Sequence, residues 1–344
     1  MTFGPFKYVE WGYINGFRSA GMEVAIWDGS DADELKTILA DFKPDLFVGY
    51  LRRGQDRANS EWMSAPHIEH LLRYRKEHGL WVAMHANPDV RVLMQHLELS
   101  FIDGDVSLAG DFYTQKPPPT PVEAELVGKG FIDIILHNFS QMVSSTCFEY
   151  WRTNGIHVLE EPLAADTQIY RPAPFPKKKR YDISFVGGWW PFKGQQLDLY
   201  VEPLYQNYGN RLHIFGRGWT RYSKGHISDE DYMRTVWESK INLIFHEPSQ
   251  VQGVPIHVNE RIFKLGAMGA FAICDNNPSV YEYFDKDEIT VARTPEEMVD
   301  LCRYYLRRPL ARWKKARKLR RAILDRHTYH HRAKKLLDTC AGLK

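Results

Sequence analysis

The chain has 344 residues, room for two domains of ordinary size, and 44% hydrophobic with 26% charged residues excludes a mainly disordered protein. Its 24 glycines and 19 prolines exclude a collagen-like or low-complexity chain. The net charge of +2 hides an asymmetry: residues 303–335 hold 14 basic side chains and one acid, Asp325, leaving 31 basic against 42 acidic residues elsewhere. No run approaches the roughly 18 apolar residues of a membrane span. The first ten residues lack the basic-then-apolar pattern of a secretory leader. Cys147, Cys274, Cys302 and Cys340 lie far apart with no C-x-x-C pair, so the expectation is no disulfides, inert thiols and a reducing, cytoplasmic setting.

Apolar runs alternate with helix-period stretches along the chain, the βαβ signature. The first predicted helix starts near Phe6 or Lys7 and ends at Gly21. Too little chain precedes it for a full strand, so the N-terminal sheet is expected to lack its opening strand. Residues 23–28 (EVAIWD) read as a strand and 31–42 as a helix capped by Ser30 or Asp31. Strands are predicted at 46–51, 80–85, 131–137 and 156–159, with helices over 66–78 and from 140 to about 154. Residues 96–130, containing Pro117–Pro119, read as a long irregular insertion that would shape an acceptor pocket. The run RPAPFPKKKR (171–180) has a linker's composition. Beyond it the pattern restarts: strands at 182–186, 212–215, 241–246 and 270–274, helices at 195–205, 229–239, 259–268, 294–306 and 309–325. In such doubly wound halves, ligands bind beyond the C-terminal strand ends.

The run VNERIFKLGAMGAFAICD (258–275) resembles the glycosyltransferase segment of the CgeB-like, spore-maturation-type family, and so do LRRP (306–309) and H-T-Y-x-x-R (327–332). FVGGWWPFKG (185–194) resembles the phosphate loop of GT-B glycosyltransferases, and PLAADTQIYRP (162–172) resembles their crossover before the linker. The resemblance implies an α/β GT-B fold, two Rossmann-like domains facing a cleft. Residues 1–171 would hold the acceptor and 172–180 would be the linker. Residues 181–344, with terminal basic helices and a group 1-like transferase domain, would hold the nucleotide-sugar. It implies a metal-independent hexosyl- or pentosyltransferase whose donor, UDP- or GDP-linked, is a substrate, with no cofactor. Two positions depart from the family pattern. The Glu that holds the donor ribose in retaining members is Lys264 here, with Glu260 one turn earlier, and the Arg of the phosphate loop is Gly188.

A diphosphate leaving group needs cations and backbone N–H groups around its developing charge. Gly187 and Gly188 follow a strand, where they allow close backbone approach, and Lys193 lies within reach of a phosphate. Arg217, inside the Gly216–Gly218 turn, adds a cation. Asn259, Glu260, Arg261 and Lys264 sit at the start of a helix, an end that favours anions, with Glu260 also suited to ribose hydroxyls. Trp189 or Trp190 offers a stacking face. In the first half, His85 at a strand end and Asp89 just beyond are candidate bases, with His137 behind them. Glu10 and Tyr13 on the first helix are candidate acceptor-side residues.

The D-x-D strings at 31–33, 103–105 and 285–287 read as chance, and His327, His330 and His331 lack a fourth ligand, so no metal is expected. The basic helix after Pro309 is by default a solvated face over an apolar stripe. The alternative is that Arg312, Lys314, Lys315, Lys318 and Arg321 bind DNA as acceptor, as in bacteriophage-type DNA-base glycosyltransferases. Two further readings are a non-catalytic nucleotide-sugar-binding protein on the same scaffold and an epimerase-type isomerase. The oligomeric state is left open.

Overall fold

A computed structural model describes residues 7–27, 29, 31–52, 65–87, 121–141, 144–145, 148–175, 177–189, 191–246 and 257–343. Contacts divide the chain into two units, the first built on Met1–Pro162 and Arg332–Lys344, the second on Leu163–Ser249 and Pro255–His331. The division falls ahead of the Pro- and Lys-rich stretch, and the chain's last helix belongs to the first unit.

Unit 1 begins with α1 (Lys7–Ser19), α2 (Ala32–Phe42), β1 (Leu46–Arg52), α3 (Ala65–His78) and β2 (Trp81–Asn87). It continues with α4 (Pro121–Gly128), β3 (Ile134–His137), α5 (Glu149–Thr153) and β4 (His157–Glu160). The four strands are parallel, in the order β1-β2-β3-β4. Every residue of β3 is buried, as expected of a parallel strand covered on both faces. Asp31 starts α2 by accepting from the Asp33 N–H (2.8 Å), and Leu35 and Leu39, one turn apart, bury its inner face.

Residues 22–27 form no strand, against the sequence expectation. The sheet order explains why. In a doubly wound sheet ordered 2-1-3-4-5, the second strand pairs only with the first. Among the described residues no strand lies on the outer edge of β1, so the 22–27 run has no ladder to join. It is held by packing instead: Trp27 is buried, donates to the Asp31 carbonyl (2.9 Å) and meets His67 edge-on. A largely apolar cavity of about 300 Å³ lies beside this run, lined by Val24, Ala25, Trp27, Leu39 and Phe47 among others.

Unit 2 runs β5 (Tyr181–Val186), α6 (Pro191–Tyr208), β6 (Leu212–Phe215), α7 (Asp229–Glu238), β7 (Ser239–Ile244), α8 (Glu260–Ala267) and β8 (Ala272–Cys274). α9 (Val280–Tyr283), α10 (Pro295–Leu306) and α11 (Pro309–Arg326) follow, and α12 (Tyr329–Gly342) ends the chain. The sheet is parallel in the order β6-β5-β7-β8. Chain order therefore reverses between β5 and β7, which makes that gap the topological switch point. Ser228, Asn259 and Thr294 cap α7, α8 and α10 through side-chain bonds to backbone N–H groups. α11 crosses α8 at Gly266, where a Cβ would lie 2.6 Å from Ile323.

The H-T-Y-x-x-R run turns out to be a staple. Arg332, at 5% exposure, bonds Glu161 (2.9 Å) and donates to the Pro162 carbonyl (2.9 Å), and Lys335 pairs with the same carboxylate. These ion pairs tie α12 to the end of β4 within unit 1.

Candidate functional site

Two glycine turns meet at the C-terminal ends of β5 and β6. Gly187 N–H donates to the Phe215 carbonyl and Trp189 N–H to the Arg217 carbonyl, both at 2.8 Å. Cβ atoms at Gly216 and Gly218 would collide with the carbonyls of Gly187 and Trp189, and Gly218 has φ +82°. Gly187, one of the two glycines read in the sequence as room for a phosphate, is thus bonded to the second turn, and Gly216 and Gly218 of that turn are required by its close approach to the first. Trp189 packs its ring against Gly194 and donates to Asp198 (3.2 Å), a packing role rather than an open stacking face. Lys193 lies in the first turn of α6, and Arg217 is exposed on its turn.

Arg261 is the side chain that joins these turns to α8. Its Nε donates to the carbonyl of Val186, the last residue of β5 (2.8 Å), and its Nη1 to Asn259 Oδ1 (3.1 Å). The guanidinium lies 5.5 Å from the Phe185 ring centroid and under Gly187, where a Cβ would come within 2.8 Å of Nη2. Asn259 is buried as the N-cap, accepting from Arg261 N (3.0 Å), so it positions Arg261. A held cation thus sits beside a helix N-terminus at the switch point, an arrangement suited to an anion.

Lys264 and Glu260 face another way. They pair at 3.9 Å, and Lys264 Nζ lies 5.2 Å from the Tyr170 ring. Burial holds the Lys264 ammonium below the usual lysine range, with Glu260 and Asp229 opposing. Burial, Asp229, Glu260 and Asp166 push the Tyr170 phenol up to about 12. Lysine at this helix position therefore closes a local ion pair against the crossover segment.

Sequence reading passed over His246 and Asp275. Asp275 follows β8 directly and is fully buried; both its oxygens accept from His246 N (3.0 and 3.1 Å), and Oδ1 lies 2.5 Å from His246 Nδ1. His246, two residues beyond β7, is 2% exposed, and its buried Nε2 has no hydrogen-bond partner among the described residues. The available signal was a polar residue closing each of two neighbouring strands, INLIFH and AICD.

In unit 1, His85 lies on β2 with its ring stacked on Tyr50 (4.9 Å, 8°). It lines a cavity of about 20 Å³ together with Glu10, Tyr13, Val9, Val48 and Gly49, room for one water. Burial lowers His85 to about 4, so the ring is neutral at pH 7, and its buried Nδ1 has no partner among the described residues. Burial, with Glu161 adding to it, raises the Tyr13 phenol. Asp89 and Trp190 lie outside the described residues. His137 is a core residue: Nδ1 accepts from Phe139 N (3.2 Å), Nε2 meets Ser144 Oγ (2.9 Å), and Phe148 stacks on it (4.0 Å).

The basic helix α11 spends much of its charge internally. Arg312 donates to the last carbonyls of α10, at Tyr305 and at Leu306 (3.1 Å). Lys315 reaches the carbonyls of Lys286, Asp287 and Ile289 (3.3, 3.0 and 3.4 Å), and Lys318 pairs with Asp287. Lys314 is exposed, and Arg321, 86% exposed, pairs loosely with Asp325 (3.5 Å). Three of the five residues considered for DNA are thus helix-end and loop staples. Among the described residues no group of three His, Cys, Asp or Glu could hold a metal, and no helix is long and apolar enough to cross a membrane.

Residues 195–338 match the glycosyl transferase-like family, a stretch that contains Arg217, His246 and the Asn259–Lys264 helix start. No curated protein matches the sequence. Solved structures match across nearly the whole chain at low identity. An alpha-glucosyltransferase in complex with UDP-glucose and DNA containing an abasic site is 9% identical, covers 97% of this chain and 95% of its own, and has a TM-score of 0.65. Anabaena Alr3699/HepE in complex with UDP and glucose is 10% identical, covers 95% and 88%, and scores 0.54. Sucrose-phosphate synthase from Thermosynechococcus elongatus is 9% identical, covers 91% and 77%, and scores 0.53. The chain has the α/β GT-B fold of glycosyltransferases, with two sheets of four parallel strands.

Proposed function

We propose that the protein transfers a sugar from a nucleotide-diphosphate-sugar, held by unit 2, to an acceptor hydroxyl. The observation that carries this reading is Arg261, fixed to the end of β5 under Gly187 beside the N-terminus of α8. A held guanidinium and a helix N-terminus at the switch point are suited to a diphosphate leaving group. The family match over this region and the UDP named for two of the similar structures support UDP as the first donor base to try. The finer CgeB-like assignment rests on the 258–275 run. The departures at Lys264 and Gly188 leave the ribose without its family partner, and Glu260, paired with Lys264 against the crossover segment, does not replace it. His85, neutral and with a buried Nδ1 beside a cavity large enough for one water, is the candidate base.

The test is thermal stabilisation by a panel of nucleotides and nucleotide-sugars, with and without EDTA. A ligand at 100 times its Kd adds about 2.7 kcal/mol of stability. A responder unaffected by EDTA, whose effect Lys193→Ala and Arg261→Ala remove, supports the reading. Binding that both variants keep sinks it. Binding without sugar release favours a non-catalytic protein, and turnover without acceptor favours an isomerase.

A second reading, DNA as acceptor, rests on the exposed basic residues of α11, where Arg317, Arg321 and Lys318 line one surface hollow, and on the DNA named for one similar structure. Charge reversal at Lys314, Arg317 and Arg321 should then abolish sugar transfer to DNA while donor hydrolysis persists.

A further inference from the structure

We propose that His246 is a donor-binding residue that hydrogen-bonds the diphosphate through Nε2, with Asp275 as its positioning residue. This rests on the donor reading above. The first observation is placement. The switch point of the sheet lies between β5 and β7, and ligands of such sheets sit beyond the carboxyl ends of the strands that flank it. The β5 side is closed by the Gly187–Trp189 turn with Arg261 beneath, and the β7 side ends in Phe245 and His246.

The second observation is orientation. Asp275, buried on the adjacent strand end, accepts from both the backbone N–H and the ring of His246. A carboxylate on Nδ1 fixes which ring nitrogen keeps its proton and leaves Nε2 to face a ligand. The third is that, among the described residues, the buried Nε2 has no hydrogen-bond partner and His246 is Asp275's ionic partner. A buried polar atom left unpaired is costly, so its persistence asks for a group that completes it. When the ring carries both protons, Asp275 balances its charge and Nε2–H is a donor to a phosphate oxygen. A phosphate suits the position better than a sugar hydroxyl because Arg261 and the α8 N-terminus make this end of the sheet favourable to anions.

The experiment measures Kd by calorimetry for UDP, GDP, uridine and guanosine on the wild type, His246→Phe, His246→Asn and Asp275→Asn. The expected result is a loss of at least tenfold for the nucleoside diphosphate in both His246 variants, an intermediate loss in Asp275→Asn, and unchanged nucleoside affinity. Equal losses for diphosphate and nucleoside, or no loss, overturn the proposal while leaving the donor reading in place. A wild type that binds neither diphosphate overturns both. A second measurement needs no variant: nitrogen-15 NMR of the wild-type imidazoles. UDP or GDP, whichever binds, should move the His246 Nε2 resonance with Nδ1–H retained. Saturation that leaves Nε2 unmoved overturns the proposal.

Discussion

The two units are built from the same parts and differ in what their strand ends offer. Among the described residues unit 1 orders its strands β1 to β4 without reversal, and its chemically able side chains are enclosed: His85 stacks on Tyr50, Glu10 and Tyr13 are buried, and the space among them has room for about one water. Unit 2 reverses direction between β5 and β7, and there a guanidinium, a helix N-terminus and a histidine–aspartate pair come to the same sheet end. A parallel sheet acquires a binding crevice where its winding reverses, because adjacent connections then leave on opposite faces. Similar elements therefore yield, among the described residues, enclosed side chains in one unit and a ligand-suited strand end in the other.

The largest expected effect tests what holds unit 1 together. Arg332→Met should cost about 3–5 kcal/mol, because it leaves the buried Glu161 carboxylate short of its Arg partner. Urea unfolding measures it, and a loss under about 1 kcal/mol would show that the α12 staple is not structural. Next, Arg261→Ala should weaken nucleoside diphosphate binding about 100-fold, the scale of losing one preorganised charge-stabilising group. The corresponding enclosed residue of unit 1, in His85→Phe, should leave that affinity unchanged.

Acid sharpens the contrast further. The unfolded chain takes up the His85 proton near 6.5, whereas the folded chain does so only at about 4. The stability held by the neutral ring is complete above pH 6.5 and falls as the pH drops towards 4, by about 1.4 kcal/mol per pH unit. His137, lowered to about 3 by burial, adds a parallel decline reaching lower. His85→Phe should flatten the acid limb of a stability–pH curve by one proton; an unchanged slope would mean that His85 is not buried neutral. The smallest effect is expected on α11. Lys314→Glu should change stability by less than about 0.5 kcal/mol and leave donor affinity intact, because Lys314 is exposed. Lys315→Ala should cost more, since Lys315 closes three loop carbonyls.

Apolar runs and helical periodicity made the second unit legible. Its four strands and its longer helices fall within a few residues of their predicted places, while the short α9 and the capping by Ser228, Asn259 and Thr294 emerge only in the structure. The 23–28 run reads as a strand because its side chains suit one. Pairing is a property of the neighbour, and β1 has no strand on its outer edge among the described residues. Arg261 was legible as a cation at a helix start. What was not legible is that its nitrogen closes the carbonyl of β5 and that Asn259 serves it. Gly216 and Gly218 read in the sequence only as the turn that holds Arg217, and the facing carbonyls of Gly187 and Trp189 are what demand glycine there. His246 and Asp275 are 29 residues apart, and only the β7–β8 pairing makes them one unit of chemistry. The charge run at 303–335 reads by default as a solvated face, with a polyanion surface as the alternative, and a count of charges does not tell which ones find carbonyls and carboxylates at home.

The central claim, that unit 2 holds the donor at its switch point, is tested most directly by hydrogen–deuterium exchange with and without a saturating nucleoside diphosphate. The account predicts protection at 187–189, 245–246 and 258–264, with the β2 end of unit 1 unchanged by the nucleotide alone. Protection confined to unit 1, or to α11, would contradict it.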